Sequence, residues 1–391
     1  MSLPPAPRLD QARLVVVKIG SALIVDPEAA EPRTGWLASV AADIADFRER
    51  GIGVVVVSSG AIALARRRLG LTQKRLRLEE KQAAASVGQI RLAGAWSAAL
   101  SSHGLTAAQL LLTLGDTEDR RRYLNARATL HTLLELGCVP VINENDSVAT
   151  GEIRFGDNDR LAGRVAEMIE ADQLILLSDI DGLYTDDPKR NPQAQHIELV
   201  PTLTAEIEAM GGAPPPGYSS GGMRTKLVAA RIATQAGCAM AIALGGVTHP
   251  LAALRAGARC TWFLPQPGGR SARKRWIAGS LAPLGRITLD AGAVRAIMRG
   301  SSLLPAGITR IEGQFERGDP VELIAPDGAI LARGLCAYSS ADAAIIAGHR
   351  TDDIEALLGW RGRDEIIHRD DLVLLDQGAS HTGANPGLTN R

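Results

Sequence analysis

The sequence predicts an α/β protein, a three-layer sandwich with a mostly parallel sheet, followed by a small β-rich domain. Two observations predict the first part. Short, wholly apolar β-branched runs recur along residues 13–264, and segments of helical periodicity separate them. Strands buried on both faces and joined by helical crossovers form parallel sheets covered above and below. The third observation is a change of texture near residue 264, after which the segments shorten and turn residues multiply.

The first strand is Leu14–Ser21, with Gly20 at its end. Leu37, Val40, Ile44 and Phe47 recur at spacings of three and four, which predicts a helix over 34–50 stopped at Gly51. Gly53–Val57 is a second buried strand, closing on Ser58-Ser59-Gly60. An Ala-rich helix is expected over 79–100, a strand over 109–114, a helix over 123–136 and a strand over 138–143. Pro140 sits awkwardly in that last strand, because it cannot donate to a ladder. Asp157-Asn158-Asp159 opens a helix with Leu161, Val165, Met168 and Ile169 on one face, and residues 174–177 form a strand ending in Ser178-Asp179. A further helix is expected from Leu227 to Gly237.

The expected division is a flexible N-terminus over 1–12, a catalytic domain over 13–264, a linker over 265–284, a β-rich domain over 285–375 and a disordered tail over 376–391. Lys and Arg together number 43, as do Asp and Glu, so global charge gives no support for a polyanion partner. Cys138, Cys238, Cys260 and Cys336 lack metal-type spacing and read as thiols in a reducing cytoplasm. The N-terminus has no apolar secretory segment, and no apolar run is long enough to span a membrane.

No GxxxxGK[ST] loop occurs, so a nucleotide would need another phosphate cradle. Three stretches at strand ends offer one. Lys18-Ile19-Gly20-Ser21 places a charge beside a glycine that permits close backbone approach. Taken alone, such a lysine is more often a snorkelling surface residue. Ser58-Ser59-Gly60-Ala61 is small enough for a ligand to rest on its backbone, although taken alone a tight strand-to-helix turn explains it better. Ser219 to Lys226 combines hydroxyls, a glycine pair and a lysine at a helix start, the composition of an anion site. Asn143, Glu144, Asn145 and Asp146, with Asp157, Asn158 and Asp159, form a polar set that fits an amino acid or Mg2+, or simply caps a helix. None of the seven histidines lies in these motifs. A hydroxyl acceptor needs a base, whereas a carboxylate, with a pKa of about 4.3, is already ionised at neutral pH. The pattern therefore suits phosphoryl transfer to a carboxylate.

In order along the chain, VVVKIGS, SSGAIALA, KQAAASVGQ, NARATL, VPVINENDSVAT, FGDNDRLA, LLSDIDGLYT and GGMRTKL resemble the glutamate 5-kinase family, a branch of the amino acid kinase family. SSLLPAGI and IIHRDD resemble its C-terminal PUA domain. The resemblance implies the amino acid kinase fold, ATP and Mg2+ as cofactors, L-glutamate as substrate and L-glutamyl 5-phosphate as product, in the first step of proline biosynthesis. It implies proline as feedback inhibitor, a homo-oligomer (dimer or tetramer), a downstream glutamyl phosphate reductase as possible partner, and no membrane. By matching motifs it implies Lys18, Lys226 and Asp159 as catalytic, with Asp159 orienting the lysines. Ser59, Asp146 and Asn158 are implied for glutamate. Lys18, Gly20, Ser178, Asp179, Ser220, Gly221, Gly222, Met223, Arg224, Thr225 and Lys226 are implied for ATP, and Asp157 is a weaker member of the same network. No metal ligand is implied, since nucleotide phosphates carry Mg2+. At Ser219-Ser220 the family usually has Gly-Thr; serine keeps the hydroxyl but lacks glycine's freedom in φ. Asp181 stands at a position that varies in the family.

Two other readings compete. One is a kinase for another carboxylate acceptor. The other is an RNA-binding protein acting through the PUA domain. Residues 285–372 hold ten Lys and Arg against 14 Asp and Glu, a poor surface for RNA.

Overall fold

A computed structural model describes residues 5–73, 76–148, 157–212, 222–268 and 282–375 of the 391-residue chain, with only the backbone described at Asp157. The chain divides into two compact units, Met1–Arg270 and Ser271–Arg391.

The first unit carries strands β1 (Leu14–Ile19), β2 (Gly53–Ser58), β3 (Ala107–Leu112), β4 (Val139–Glu144), β5 (Gln173–Ser178), β6 (Leu183–Tyr184), β7 (His196–Ile197), β8 (Leu199–Val200), β9 (Ala239–Leu244) and β10 (Cys260–Phe263). All but β6 and β7, which pair with each other, form one sheet in the order β3-β4-β2-β1-β5-β9-β10-β8. Its pairings are parallel except between β9 and β10. The helices are α1 (Ser21–Ile24), α2 (Thr34–Glu49), α3 (Ala61–Arg66), α4 (Leu78–Ser101), α5 (Leu114–Glu118), α6 (Arg120–Glu135), α7 (Asp157–Met168), α8 (Ala205–Ala209), α9 (Met223–Gln235) and α10 (Pro250–Arg255). The mostly parallel sheet expected from the sequence is present, with apolar layers on both faces.

The strand period of two decides which side chain meets which layer. Val15, Val17 and Ile19 of β1 pack with Val54 and Val56 of β2 under α2, α4 and α10. Val16, Val55, Val57, Leu174 and Leu176 pack on the other face under α6, α7 and α9. Lys18 shares the parity of Val16, so β1 delivers it to the α7–α9 side. Ser58 shares the parity of Val56, and its hydroxyl accepts from Trp96 Nε1 of α4 at 2.9 Å, inside the opposite layer.

Three local differences from the sequence expectation have simple causes. Strand β1 ends at Ile19, because Gly20 turns and caps α1. Helix α9 starts at Met223 rather than Leu227, with Gly222 as its N-cap, which lifts Met223 to Lys226 onto the first helical turn. Pro140 fits within β4: Val139 donates to Thr106 on the β3 side, so the proline nitrogen faces β2, where pairing begins only at Val56 with Val141.

Close packing at glycine brings α4 against the β2–α3 corner. A Cβ on Gly88 would stand 1.7 Å from the Ala61 carbonyl oxygen and 2.6 Å from its carbon. Backbone cannot give way as a flexible side chain does, and overpacking costs about 1–3 kcal/mol or more. Gly88→Ala is expected to lower the melting temperature by several degrees. Unchanged melting in a thermal scan would show that the corner yields freely.

The second unit holds β11 (Gly285–Leu289), β12 (Ile308–Gly313), β13 (Pro320–Ile324), β14 (Ile330–Leu335) and β15 (Leu372–Leu374), in a sheet ordered β12-β11-β13-β14-β15. Its own core gathers Ile287, Leu323, Tyr338, Ile346 and Ile367, among others. It is the small β-rich domain the turn-rich texture predicts.

Candidate active site

The polar residues gather beyond the carboxyl ends of β1, β2, β4 and β5, where parallel sheets place their ligands. The centre is Asp159, on the first turn of α7 and fully buried. Its carboxylate pairs with Lys18 Nζ and lies 3.3 Å from Lys226 Nζ. Thr225 Oγ1 donates to Asp159 Oδ2 at 2.7 Å. Both lysines are buried, each 7% exposed. Gly163, one turn beyond Asp159, makes this meeting possible: a Cβ there would stand 3.2 Å from the Ala229 carbonyl oxygen, one turn beyond Thr225 on α9. The two helices therefore approach closely with their N-termini side by side.

Burial works to push the Asp159 carboxyl up. The charges of Lys18 and Lys226, with hydrogen bonds from Lys18 and Thr225, outweigh it and hold Asp159 below the ordinary carboxylate range. Burial pulls the Lys18 ammonium below its ordinary value, the neighbouring Lys226 charge adds to that, and Asp159 opposes it. Two ammoniums against one carboxylate leave a net positive charge in a site nearly closed to water. Such a site favours an anionic ligand, and the N-termini of α7 and α9 reinforce the preference. At Gly20 a Cβ would stand 3.9 Å from Lys18 Nζ, so bare backbone leaves the approach to that ammonium open.

A second polar cluster adjoins the first through Asn158, the neighbour of Asp159. Asn158 Nδ2 donates to Ser59 Oγ at 2.8 Å and to Asn143 Oδ1 at 3.1 Å. Asn143 Nδ2 donates in turn to Gln89 Oε1 of α4 at 2.7 Å. Asp146 lies in the turn after β4, where Val148 N donates to Asn145 O at 3.2 Å. Ser178 ends β5 and donates through Oγ to Asp179 Oδ1 at 3.1 Å. Asp179 is exposed and forms a loose ion pair with Lys189 at 3.9 Å.

The structure thus brings Lys18, Asp159, Thr225 and Lys226 into one cluster and Ser59 and Asn158 into the next. Gly222, Met223 and Arg224 stand at the start of α9, with Gly222 and Arg224 exposed. Ser220 and Gly221, the loop before Gly222, and the Asp157 side chain lie outside the described residues, as do the basic stretch 270–275 and the tail. Sequence reasoning left Gln89 without a role, although it closes the string KQAAASVGQ. The available signal was Gly88 beside it, a glycine in mid-helix with a packing reason to be there. In the sequence Asn143 is only one member of a polar run, because its amide partners lie 15 and 54 residues away.

The amino acid kinase family profile matches residues 13–243, and the PUA domain profile matches residues 285–358. Glutamate 5-kinase of Gluconobacter oxydans is 66% identical over 369 residues, covering 94% of this chain and 98% of that protein. Glutamate 5-kinase of Paramagnetospirillum magneticum is 61% identical over 366 residues, covering 94% and 99%. That of Paracoccus denitrificans is 58% identical over 368 residues, again covering 94% and 99%.

Proposed function

The chain belongs to the amino acid kinase family, in its glutamate 5-kinase branch, and on that premise we propose that it transfers the γ-phosphoryl group of ATP to the side-chain carboxylate of L-glutamate. The product is L-glutamyl 5-phosphate, which enters proline biosynthesis. The observation that carries the reading is the buried Lys18–Asp159–Lys226 cluster with its excess positive charge.

A carboxylate oxygen of glutamate attacks the γ-phosphorus as the bond to the ADP oxygen breaks, and ADP leaves with that electron pair. No proton has to be removed, so alignment and charge neutralisation suffice. Lys18 and Lys226 neutralise the transferring group, and Asp159 holds the two ammoniums apart and aimed. Gly20, Ser178, Asp179 and the start of α9 from Gly222 to Thr225, continued back through Ser220 and Gly221, cradle the nucleotide. Ser59, Asn158 and Asp146 hold glutamate. Among the described residues, no group of three or more His, Cys, Asp or Glu side chains could hold a metal ion. Mg2+ would be carried by the nucleotide phosphates and water, and would supply further charge neutralisation beside Lys18 and Lys226.

The same reading includes L-proline as end-product inhibitor, a homo-oligomeric assembly, a cytoplasmic location and hand-over of the labile acyl phosphate to a reductase. No helix among the described residues is long and apolar enough to cross a membrane.

Hydroxylamine trapping of the acyl phosphate tests the reaction, with ATP, Mg2+ and L-glutamate, N-acetylglutamate or L-aspartate. Hydroxamate from L-glutamate alone is the expected result. Hydroxamate from another acceptor would reassign the pocket around Asp146 and Asn158, and none from any acceptor would refute the kinase reading.

A further inference from the structure

Each carboxamide has one accepting end and one donating end, so a chain of them has a direction. At this site Gln89 Oε1 accepts from Asn143 Nδ2 at 2.7 Å. The donating end of Asn143 is thereby used, and its Oδ1 faces Asn158, accepting at 3.1 Å. Asn158 spends its donating end on Asn143 and on Ser59. Its Oδ1 is left over, buried and without a hydrogen-bond partner among the described residues. A buried acceptor without a donor is costly in a native protein and marks a place where a ligand donates.

We propose that Gln89 is a positioning residue that sets the direction of this amide chain, so that Asn158 Oδ1 receives the α-ammonium of the amino acid substrate. The inference rests on the kinase reading and adds which end of the acceptor sits at Asn158. The opposite direction would turn the donating end of Asn158 outward and welcome a carboxylate there instead. Gln89 selects between the two because it stands at the far end of the chain, on α4, away from the reacting atoms. The Gly88–Ala61 contact beside it fixes α4 to the corner that carries Ser59, so Gln89 and Ser59 hold Asn143 and Asn158 from two sides.

The test compares Gln89→Glu, which can only accept, with Gln89→Lys, which can only donate, and Gln89→Leu, which does neither. KM and kcat are measured for L-glutamate, for glutarate (the same acceptor without the α-ammonium) and for ATP. Gln89→Lys and Gln89→Leu are expected to raise KM for L-glutamate about tenfold or more, the scale of one hydrogen bond to a charged group. KM for ATP and the kinetics of glutarate stay nearly unchanged, and Gln89→Glu retains the affinity of the native protein. Equal losses for glutamate and glutarate, or no loss in Gln89→Leu, would overturn the assignment. Calorimetric titration of L-glutamate into the native protein and the three variants reads the same contrast without turnover. Binding without hydroxamate formation would count against the kinase reading alone, whereas normal turnover with unchanged affinity in Gln89→Leu would count against Gln89 alone.

Discussion

Lys226→Ala is expected to lower kcat about a thousandfold, the upper range for removing one preorganised donor from a transferring group, while the protein melts close to its normal temperature. The reasoning starts from charge. The cluster carries two ammoniums and one carboxylate, all but closed to solvent. Without Lys226 the remaining Lys18–Asp159 pair is neutral, and the excess positive charge that a phosphoryl group would meet is gone. Folding does not suffer in proportion, because Asp159 keeps Lys18 and the hydrogen bond from Thr225 at 2.7 Å. Removing one of two neighbouring like charges also relieves a repulsion that lowers the Lys18 ammonium. Lys226→Arg is not expected to restore the rate, since a planar fork does not occupy the place of a compact ammonium. Steady-state ADP release and a thermal scan measure both halves. A kcat within about fivefold of normal would remove Lys226 from the chemistry, and a large fall in melting temperature would make its role structural.

Much of this arrangement was legible in the sequence. The runs at 14–21, 53–57 and 174–177 could be read as buried strands because apolar side chains fill both faces, and strands stand there at 14–19, 53–58 and 173–178. The helix from Asp157 could be read from Leu161, Val165 and Met168. The polar strings at the strand ends could be placed near the ligand, because parallel sheets bind there. Pairings within the site were not legible. Ser59 meets Asn158 across 99 residues, Thr225 meets Asp159 across 66, and Asn143 meets Gln89 across 54. Such contacts depend on which helix covers which face of the sheet, and local periodicity does not carry that. Helix α9 starts earlier than the sequence pattern suggests. The glycine pair before Met223 draws the eye to a loop, yet Met223, Arg224 and Lys226 are good helix formers and the helix begins as soon as that pair ends, with Gly222 as N-cap.

The largest loss of stability is expected from Asp159→Asn. In the native protein one carboxylate compensates two buried ammoniums, and the substitution leaves them facing each other. An uncompensated buried charge costs about 3–5 kcal/mol, and at about 2–4 °C per kcal/mol for a unit of this size the melting temperature should fall by roughly 10 °C. Asparagine can still accept from Thr225, so the loss reports charge rather than a missing hydrogen bond. The pH dependence separates this cause from a packing defect. A lysine held below its ordinary value of 10.5 binds fewer protons in the folded state than in the unfolded state over the interval between its two values. Stability therefore rises with pH through that interval. Without Asp159 the interval widens, because the carboxylate that favoured the charged form is gone. The deficit of Asp159→Asn relative to the native protein should then shrink as pH rises through that interval, where a neutral Lys18 amine no longer repels its neighbour. In the acid range the sign reverses. The native Asp159, held below its ordinary value of 3.8, contributes stability that is present above that value and lost as pH falls through the folded one. The asparagine variant has no such loss from this site, so the two proteins converge again at low pH. Denaturant unfolding across the pH range measures the whole curve. A deficit that stays constant from acid to alkaline pH would mean that Asp159 supports packing and that the charge balance around Lys18 and Lys226 is not what holds this site together.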